Sequence, residues 1–330
     1  MSEKNYQGID GLRAYSAIGI ILMHVLSNGA YELNGFLFDK VILSFTNLVF
    51  LFMMISGFSM CCGYYNKIIN SEISWDYFYS KRYKRIWPYF AILCLLDFVM
   101  SPSIESFYEV FANLTLCFGL LPNVNISVIG VGWFLGVVFV FYMVFPFFCY
   151  LLSSKKRAWL SFMLALIFNM ICNDYFDVGR TNIIYCAVFF LAGGLVFLYK
   201  DKLENAKTPL FWGTMCIICV LIYYVIGANV PIMLCLFSTM LIWGINIKKT
   251  GLLKNSITRF LSGISMELYL SHMVIYRVLE KIKLLHFFES ELLSYLFMSV
   301  GTIIGTIVFS VIIKLILNRI ETFMKNRTVK

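Results

Sequence analysis

Apolar runs long enough to cross a bilayer follow one another along most of this chain, with short polar breaks between them. Ten such runs fit, with limits near 12–30, 41–63, 85–104, 131–152, 158–173, 181–199, 209–227, 231–247, 260–279 and 292–316. Two uncharged stretches exceed one helix. Val110 to Ser154 is divided at Pro122-Asn123, which predicts an interfacial or re-entrant piece over 107–121 ahead of a full span. Thr208 to Ile247 is divided by Gly227-Ala228-Asn229-Val230-Pro231, a turn between two helices. The pattern predicts an all-α fold: a polytopic helical membrane bundle of about ten transmembrane helices. It forms one transmembrane domain over 1–330, with short tails at 1–9 and 318–330. Met1 to Gly8 is polar and carries no cleavage pattern, so the first run is expected to be a retained helix rather than a signal peptide.

Composition agrees. The chain is 60% hydrophobic, 18% aromatic and 14% charged, with a mean hydropathy of +0.81, more apolar surface than a soluble chain of 330 residues can hide. A net charge of +9 invites a nucleic-acid partner, but the positive residues cluster in short loops between apolar runs. With the N-terminus in the cytoplasm, all of the 27 lysines and arginines except Lys40, Arg180, Arg277, Lys281 and Lys283 fall inside. That bias predicts two cytoplasmic termini, an even span count and a multi-pass protein of the cell membrane, with the bilayer and not nucleic acid as partner. The ten cysteines are scattered through apolar runs. Cys216 and Cys219 form a C-x-x-C in mid-span with no second pair or nearby histidine, so they read as packing residues and no metal site is expected. The outer loops are short, which leaves the space between helices for any chemistry.

Four places carry candidate chemistry. Arg13 and His24 are eleven residues apart, almost three helical turns, so they share a face about 16 Å from end to end. Between Ala14 and Tyr31 the only other ionisable groups are tyrosines. An imidazole at that depth is a functional candidate and the one side chain able to exchange a proton near neutral pH. The plain alternatives are a snorkelling anchor for Arg13 and a helix–helix hydrogen bond for His24. Asp10 is a good N-cap for this first span and lies three residues from Arg13. The second place is Lys81-Arg82-Tyr83-Lys84-Arg85, just before Ile86-Trp87-Pro88-Tyr89. It reads as positive-inside charge or as a clamp for the phosphates of a cytosolic donor such as coenzyme A, with Lys81, Arg82 and Arg85 as the binding cations. The third is the ninth span, where Ser265, Tyr269 and His272 form one stripe. Glu267, on another face, needs a partner or a protein-lined cavity. An interhelical polar network is the plain reading there. The fourth is Trp133, opening the fourth span as a belt residue, a sugar-stacking ring or the roof of a pocket. His286, in an outer loop, is given no role.

These pieces, in this order, resemble acyltransferase family 3, the membrane O-acyltransferases that decorate bacterial surface polysaccharides and related molecules. Ile9-Asp10-Gly11-Leu12-Arg13-Ala14 through His24 is similar to the family's opening Arg-x10-His motif. Phe52-Met53-Met54-Ile55-Ser56-Gly57-Phe58 is similar to its second span, and the stretch from Tyr77 through Arg82 and Arg85 to Tyr89 to its Arg-x-x-Arg-Ile-x-Pro segment. Trp133-Phe134-Leu135 through Tyr142 and Pro146, Phe189 to Gly194, and Ile264 to His272 are similar to its later markers. The resemblance covers residue 9 to about 275. Many relatives carry Glu five residues after the Trp; Val138 stands there, so no role for that acid transfers. The chain ends soon after its tenth span, and no appended esterase-like domain is expected.

The resemblance implies transfer of an acyl group, acetyl foremost, from acyl-CoA to a hydroxyl of a surface polysaccharide or lipid-linked sugar. Acyl-CoA would serve as donor substrate, with no permanently bound cofactor. A hydroxyl is a poor nucleophile, so a base is needed. His24 is expected as that base, Arg13 as the cation steadying donor phosphate or developing negative charge, and Arg82 and Arg85 as the clamp. His272, Tyr269 and Ser265 would line the cavity and orient His24 or the acceptor. With Arg13 at the inner surface and His24 well above it, a cytosolic donor and an acceptor could approach from opposite faces. The rival reading is a glycan transporter or flippase without covalent chemistry, its buried His and Glu acting as proton relays. No inverted repeat between halves is evident. A structural scaffold would explain the charge bias but not the buried polar residues.

Overall fold

The computed structural model describes residues 6–121 and 130–328. Every extended regular element among them is helical, and the β pairing is confined to an isolated bridge between Gly251 and Lys254. The α-helices are α1 (Gln7–Asn28), α2 (Leu48–Ile69), α3 (Trp75–Met100), α4 (Ile104–Leu114), α5 (Trp133–Met143), α6 (Phe145–Leu152), α7 (Lys155–Tyr175), α8 (Ile183–Ala206), α9 (Pro209–Ile226), α10 (Val230–Asn246), α11 (Ser256–Gly263), α12 (Ser265–Lys281) and α13 (Glu291–Thr328). Each predicted span is occupied by helix. The Pro122-Asn123 division lies outside the described residues.

By length and apolar composition, α1, the helical run 37–69 that ends in α2, α8, α9 and α13 are able to cross a bilayer, and α5 with α6 would add a broken span. The surface fits a lipid solvent. On α13 the small hydroxyl residues Thr302, Thr306 and Ser310 are fully buried, while Val300, Ile304, Val308 and Ile312 on the other side are about half exposed. In water that arrangement would be inverted. In lipid it lets small polar residues pack and bond against neighbouring helices while aliphatic chains face the hydrocarbon.

Three helices anchor the interior. α1 touches α2, α10, α11, α12 and α13, which makes it the central post of the bundle. α2 and α8 share the most extensive helix–helix contact. A Cβ on Gly57 would collide with the Phe190 carbonyl, and one on Gly193 with the Met54 carbonyl, so the two backbones touch where the Ser56-Gly57 and Gly193-Gly194 pairs meet.

Five local expectations change. α1 begins at Gln7 with Tyr6 in the capping position, so Asp10 is a first-turn residue rather than the N-cap. There its charge still favours the positive end of the helix. α3 begins at Trp75, with the Ser74 hydroxyl accepting from Tyr77 N at 3.2 Å, so the basic run lies on the helix and not ahead of it. The span expected at 131–152 bends by 62° between α5 and α6. Pro146 has no N–H to continue the ladder to Tyr142. The span expected at 260–279 is interrupted at Gly263-Ile264, dividing α11 from α12. The tail expected from 318 is a continuation of α13 as far as Thr328. The turn between α9 and α10 is as expected, with Gly227 at φ +107° and Asn229 capping α10. α4 fills the interfacial piece, with Ile104, Phe107, Tyr108 and Phe111 exposed and Val110 and Asn113 buried.

Candidate active site

The basic run becomes a cavity wall because α3 is helical there. Positions 82 and 85 are one turn apart, so both arginines face the same space. Arg82 is only 6% exposed. Its guanidinium lies over the Tyr64 ring at 4.6 Å and the Tyr142 ring at 5.8 Å, and it donates to the Tyr64 hydroxyl and, at 3.4 Å, to the Met60 sulfur. The aromatic faces offset part of the cost of burying that charge. Arg85 is exposed and free of such packing. Lys81 donates to the Tyr77 hydroxyl at 3.2 Å, a bond that raises the ammonium pKa above its ordinary value.

These side chains line one cavity of about 720 Å³. α1 contributes Asp10 and Arg13 to it, α2 contributes Ser56, Ser59 and Tyr64, α5 contributes Phe134, Val138 and Tyr142, and α12 contributes Ser265 and Tyr269. Arg13 donates to the Ser59 hydroxyl at 2.8 Å, which ties the middle of α2 to α1. Asp10 accepts from the Ser262 hydroxyl at 2.8 Å, and the Ser265 hydroxyl donates to the Ser262 carbonyl at 3.0 Å. A smaller hollow that includes Lys67, Tyr77 and Lys81 shares Gly63, Tyr64 and Lys81 with the cavity and widens its mouth. Five cations, Arg13, Lys81, Arg82, Arg85 and Lys200, thus line one concave surface with hydroxyls among them, a surface suited to phosphate groups.

The far end is aromatic. Phe134 and Tyr269 meet edge to face at 5.0 Å, with Phe52 at 6.5 Å from Tyr269. Behind Tyr269 is His272, at 6.0 Å between ring centroids, and behind that His24, at 5.1 Å from His272 with the rings tilted by 40°. His272 is wholly buried, with Nδ1 2.6 Å from the Tyr269 carbonyl. Its Nε2 is buried without a hydrogen-bond partner. Neither histidine lines the cavity; His272 stands one ring past Tyr269, and His24 one ring past His272. His24 is half-buried, and its accessible side does not open onto that cavity. The seat of α12 is well fixed. Tyr89 on α3 donates to the Ser271 hydroxyl at 3.0 Å and lies 3.1 Å from the Ser310 hydroxyl of α13.

Of the residues singled out from the sequence, Asp10, Arg13, Lys81, Arg82, Arg85, Ser265 and Tyr269 share the cavity. His24 and His272 pair beside it. Glu267 and Trp133 do not join it. Glu267, expected at the substrate pocket, has the ordinary partner a buried carboxylate needs: Lys314 of α13 at 3.1 Å, which also donates to the Gly263 carbonyl at 2.7 Å. Trp133 carries the guanidinium of Arg180 over its ring at 5.6 Å. Arg180 also lies over Phe50 at 5.1 Å and donates to the Thr46 carbonyl at 2.7 Å. Its place in a loop before α8 marked it as a topology charge, and only tertiary packing reveals it as an interior cation. Tyr64 was likewise missed; an aromatic residue one helix away from a basic run leaves no local signal. His286 pairs with Glu291 at 3.4 Å and stacks near Tyr31, away from the cavity. Among the described residues no group of His, Cys, Asp and Glu is arranged to hold a metal, and the ten cysteines are free thiols.

A family model described as an acyltransferase domain matches residues 6–312, nearly the whole chain. No curated protein and no solved structure matches it.

Proposed function

The chain belongs to acyltransferase family 3, a family of membrane acyltransferases, and from that premise we propose that it transfers an acyl group, acetyl foremost, from acyl-CoA to a hydroxyl of a surface polysaccharide or lipid-linked sugar. The observation that carries the reading is one cavity whose lining joins five cations to an aromatic wall backed by two histidines. A coenzyme A thioester has the same polarity: phosphates at one end, the reactive carbonyl at the other, a neutral arm between.

The reading takes the chain as a ten-span protein of the cell membrane with both termini in the cytoplasm, supported by the charge bias. The arginine mouth then faces the cytosolic donor. Arg85 and Lys81 meet its phosphates, with Arg82 held ready between Tyr64 and Tyr142. Arg13, deeper along α1, supplies positive charge toward the reacting end. To reach His24 the thioester has to pass the Phe134–Tyr269 ring pair, and the acceptor reaches His24 from its other side. His24 takes the hydroxyl proton, which is the base the chemistry requires. Val138, on the cavity wall where many relatives hold a carboxylate, offers no competing base.

The test uses inside-out membrane vesicles given acetyl-CoA labelled in its acetyl group. Label on glycan or lipid-linked sugar supports the transferase. Movement of intact glycan with no label incorporated would make the chain a transporter.

A further inference from the structure

We infer that His24 and His272 act as an imidazole pair that takes up a single proton in transit, with His272 the positioning residue that aims His24. The inference rests on the acyl-transfer reading above.

The first argument is the tautomer of His272. Its Nδ1 lies 2.6 Å from the Tyr269 carbonyl. A carbonyl oxygen only accepts, so Nδ1 carries the hydrogen and Nε2 of the neutral ring is a bare lone pair. That nitrogen is buried with no partner. Buried polar atoms are nearly always bonded, so an orphaned one calls for an explanation, and a catalytic role is among the recognised ones.

The second argument is the neighbour. The ring of His24 is 5.1 Å from that of His272, centroid to centroid. A neutral His24 has one N–H, and turned toward His272 Nε2 that group would leave the other ring nitrogen bare for the acceptor hydroxyl. Once protonated it has two N–H donors, and a turn of its ring about χ2 brings one of them to His272 Nε2. The acceptor for the charged state is therefore built in before the charge arrives, which is what preorganisation means for a proton-transfer step. Arg180, stacked on Trp133 and Phe50, is a cation whose field reaches His24, so the pair rests neutral and takes up the hydroxyl proton only in transit. Two imidazolium rings side by side would repel as well. One added proton for the pair is the most that satisfies both constraints.

The third argument is rigidity. His272 holds its place through its own backbone bond and through the Tyr89, Ser271 and Ser310 hydroxyls that clamp α12 between α3 and α13. A fixed acceptor can orient a half-buried partner.

The step balances as follows. The acceptor hydroxyl oxygen forms a bond to the thioester carbonyl carbon, and its proton passes to His24. The resulting imidazolium donates its other N–H to His272 Nε2. The carbon–sulfur bond breaks, and the proton on His24 leaves with the coenzyme A thiolate, so the pair returns to its starting state.

The experiment compares two variants of the full chain in membranes, scored by thiol release from acetyl-CoA. His272→Asn keeps a donor where Nδ1 stands and removes the atom at Nε2. His272→Gln restores a polar acceptor at the Nε2 position. The expected result is a loss of about 100-fold in kcat for the Asn variant, of the size typical for proton-transfer groups, with KM for acetyl-CoA unchanged. The Gln variant should recover to within about tenfold of the unsubstituted protein. Adding His272→Asn to His24→Ala should cost nothing further, because a pair that acts as a unit is not additive. An Asn variant with full kcat, a Gln variant as poor as the Asn one, or losses that multiply in the double variant would each overturn the inference. Full activity in His24→Ala alone would instead remove the transferase mechanism on which it rests.

Discussion

At the arginine mouth three cations lean on visible partners, Arg13 on Ser59, Lys81 on Tyr77, and Arg82 on Tyr64 and Met60, although Arg82 Nε is itself buried without one. At the histidine end, about three helical turns further along α1, the whole acceptor face of one imidazole, His272 Nε2, is sealed in with no partner at all. The mouth is lined by the hydroxyls of Ser59 and Tyr64; the other end is walled by Phe134 and Tyr269. The difference separates two tasks. Holding a donor calls for charges that stay charged, kept in place by aromatic faces and solvent. Moving a proton calls for a group with unmet hydrogen-bonding capacity in a place where water does not supply it. α1 carries both, with Arg13 at the first site and His24 near the second.

Mutations should therefore separate affinity from turnover according to the end they touch. The largest effect is expected at His24. Its replacement by Ala should lower kcat by about 100-fold or more while the affinity for acetyl-CoA, followed by titration, stays as before. A weakened affinity with normal turnover would erase the division between the two ends. Arg85→Ala should do the reverse. Loss of one charged hydrogen bond, about 1.5–3 kcal/mol, should weaken acetyl-CoA binding about tenfold or more and leave kcat at saturation nearly intact. Arg85 is the better probe because Arg82 also packs between two tyrosine rings, so removing it would disturb α2 and α6's neighbour α5 as well.

Salt should sharpen the same contrast more gently. Raising ionic strength from about 0.1 to about 1 M shortens the screening length from about 10 to about 3 Å. Donor affinity should fall severalfold, and by less in Arg85→Ala; kcat at saturating donor should stay flat, and a parallel fall in kcat would mean that the deep end is open to bulk electrolyte. The smallest effect belongs to Glu267→Gln. It leaves Lys314 without its ion partner, and a loss of about 1 kcal/mol should lower the melting midpoint by only about 2–4 °C. Acetyl-CoA affinity and turnover should not change. A large fall in turnover would bring Glu267 back from structure into chemistry.

Much of this was legible before any coordinates. The helical class, the turn at Gly227, the common face of Arg13 and His24, and the stripe of Ser265, Tyr269 and His272 all follow from periodicity and punctuation, which act within one helix. What stayed hidden depends on which helix meets which. Glu267 looked like a pocket residue because hydropathy shows that a carboxylate is out of place in a span, not that Lys314 is waiting across the interface. Arg180 looked like a loop charge because nothing near it in the chain foretells Phe50 and Trp133. The basic run looked like a loop because charge outweighed its helical propensity. A capped amphipathic start at Ser74 was the signal that Lys81 to Arg85 belong to α3. The bend between α5 and α6 was announced by Pro146, and the apolar run around it concealed the break.

The glycine crossing of α2 and α8 sets a mechanical rule for the whole molecule. Where Gly57 meets Phe190 and Gly193 meets Met54 the chains touch carbonyl to α-carbon, with no side chain to compress. Such a junction behaves as a fulcrum: the two rods pivot about it, and spreading them apart forfeits the contact altogether. Any widening that lets a thioester past Phe134 and Tyr269 has to come from the opposite wall, where α3, α5 and α12 meet through longer and more compliant side chains.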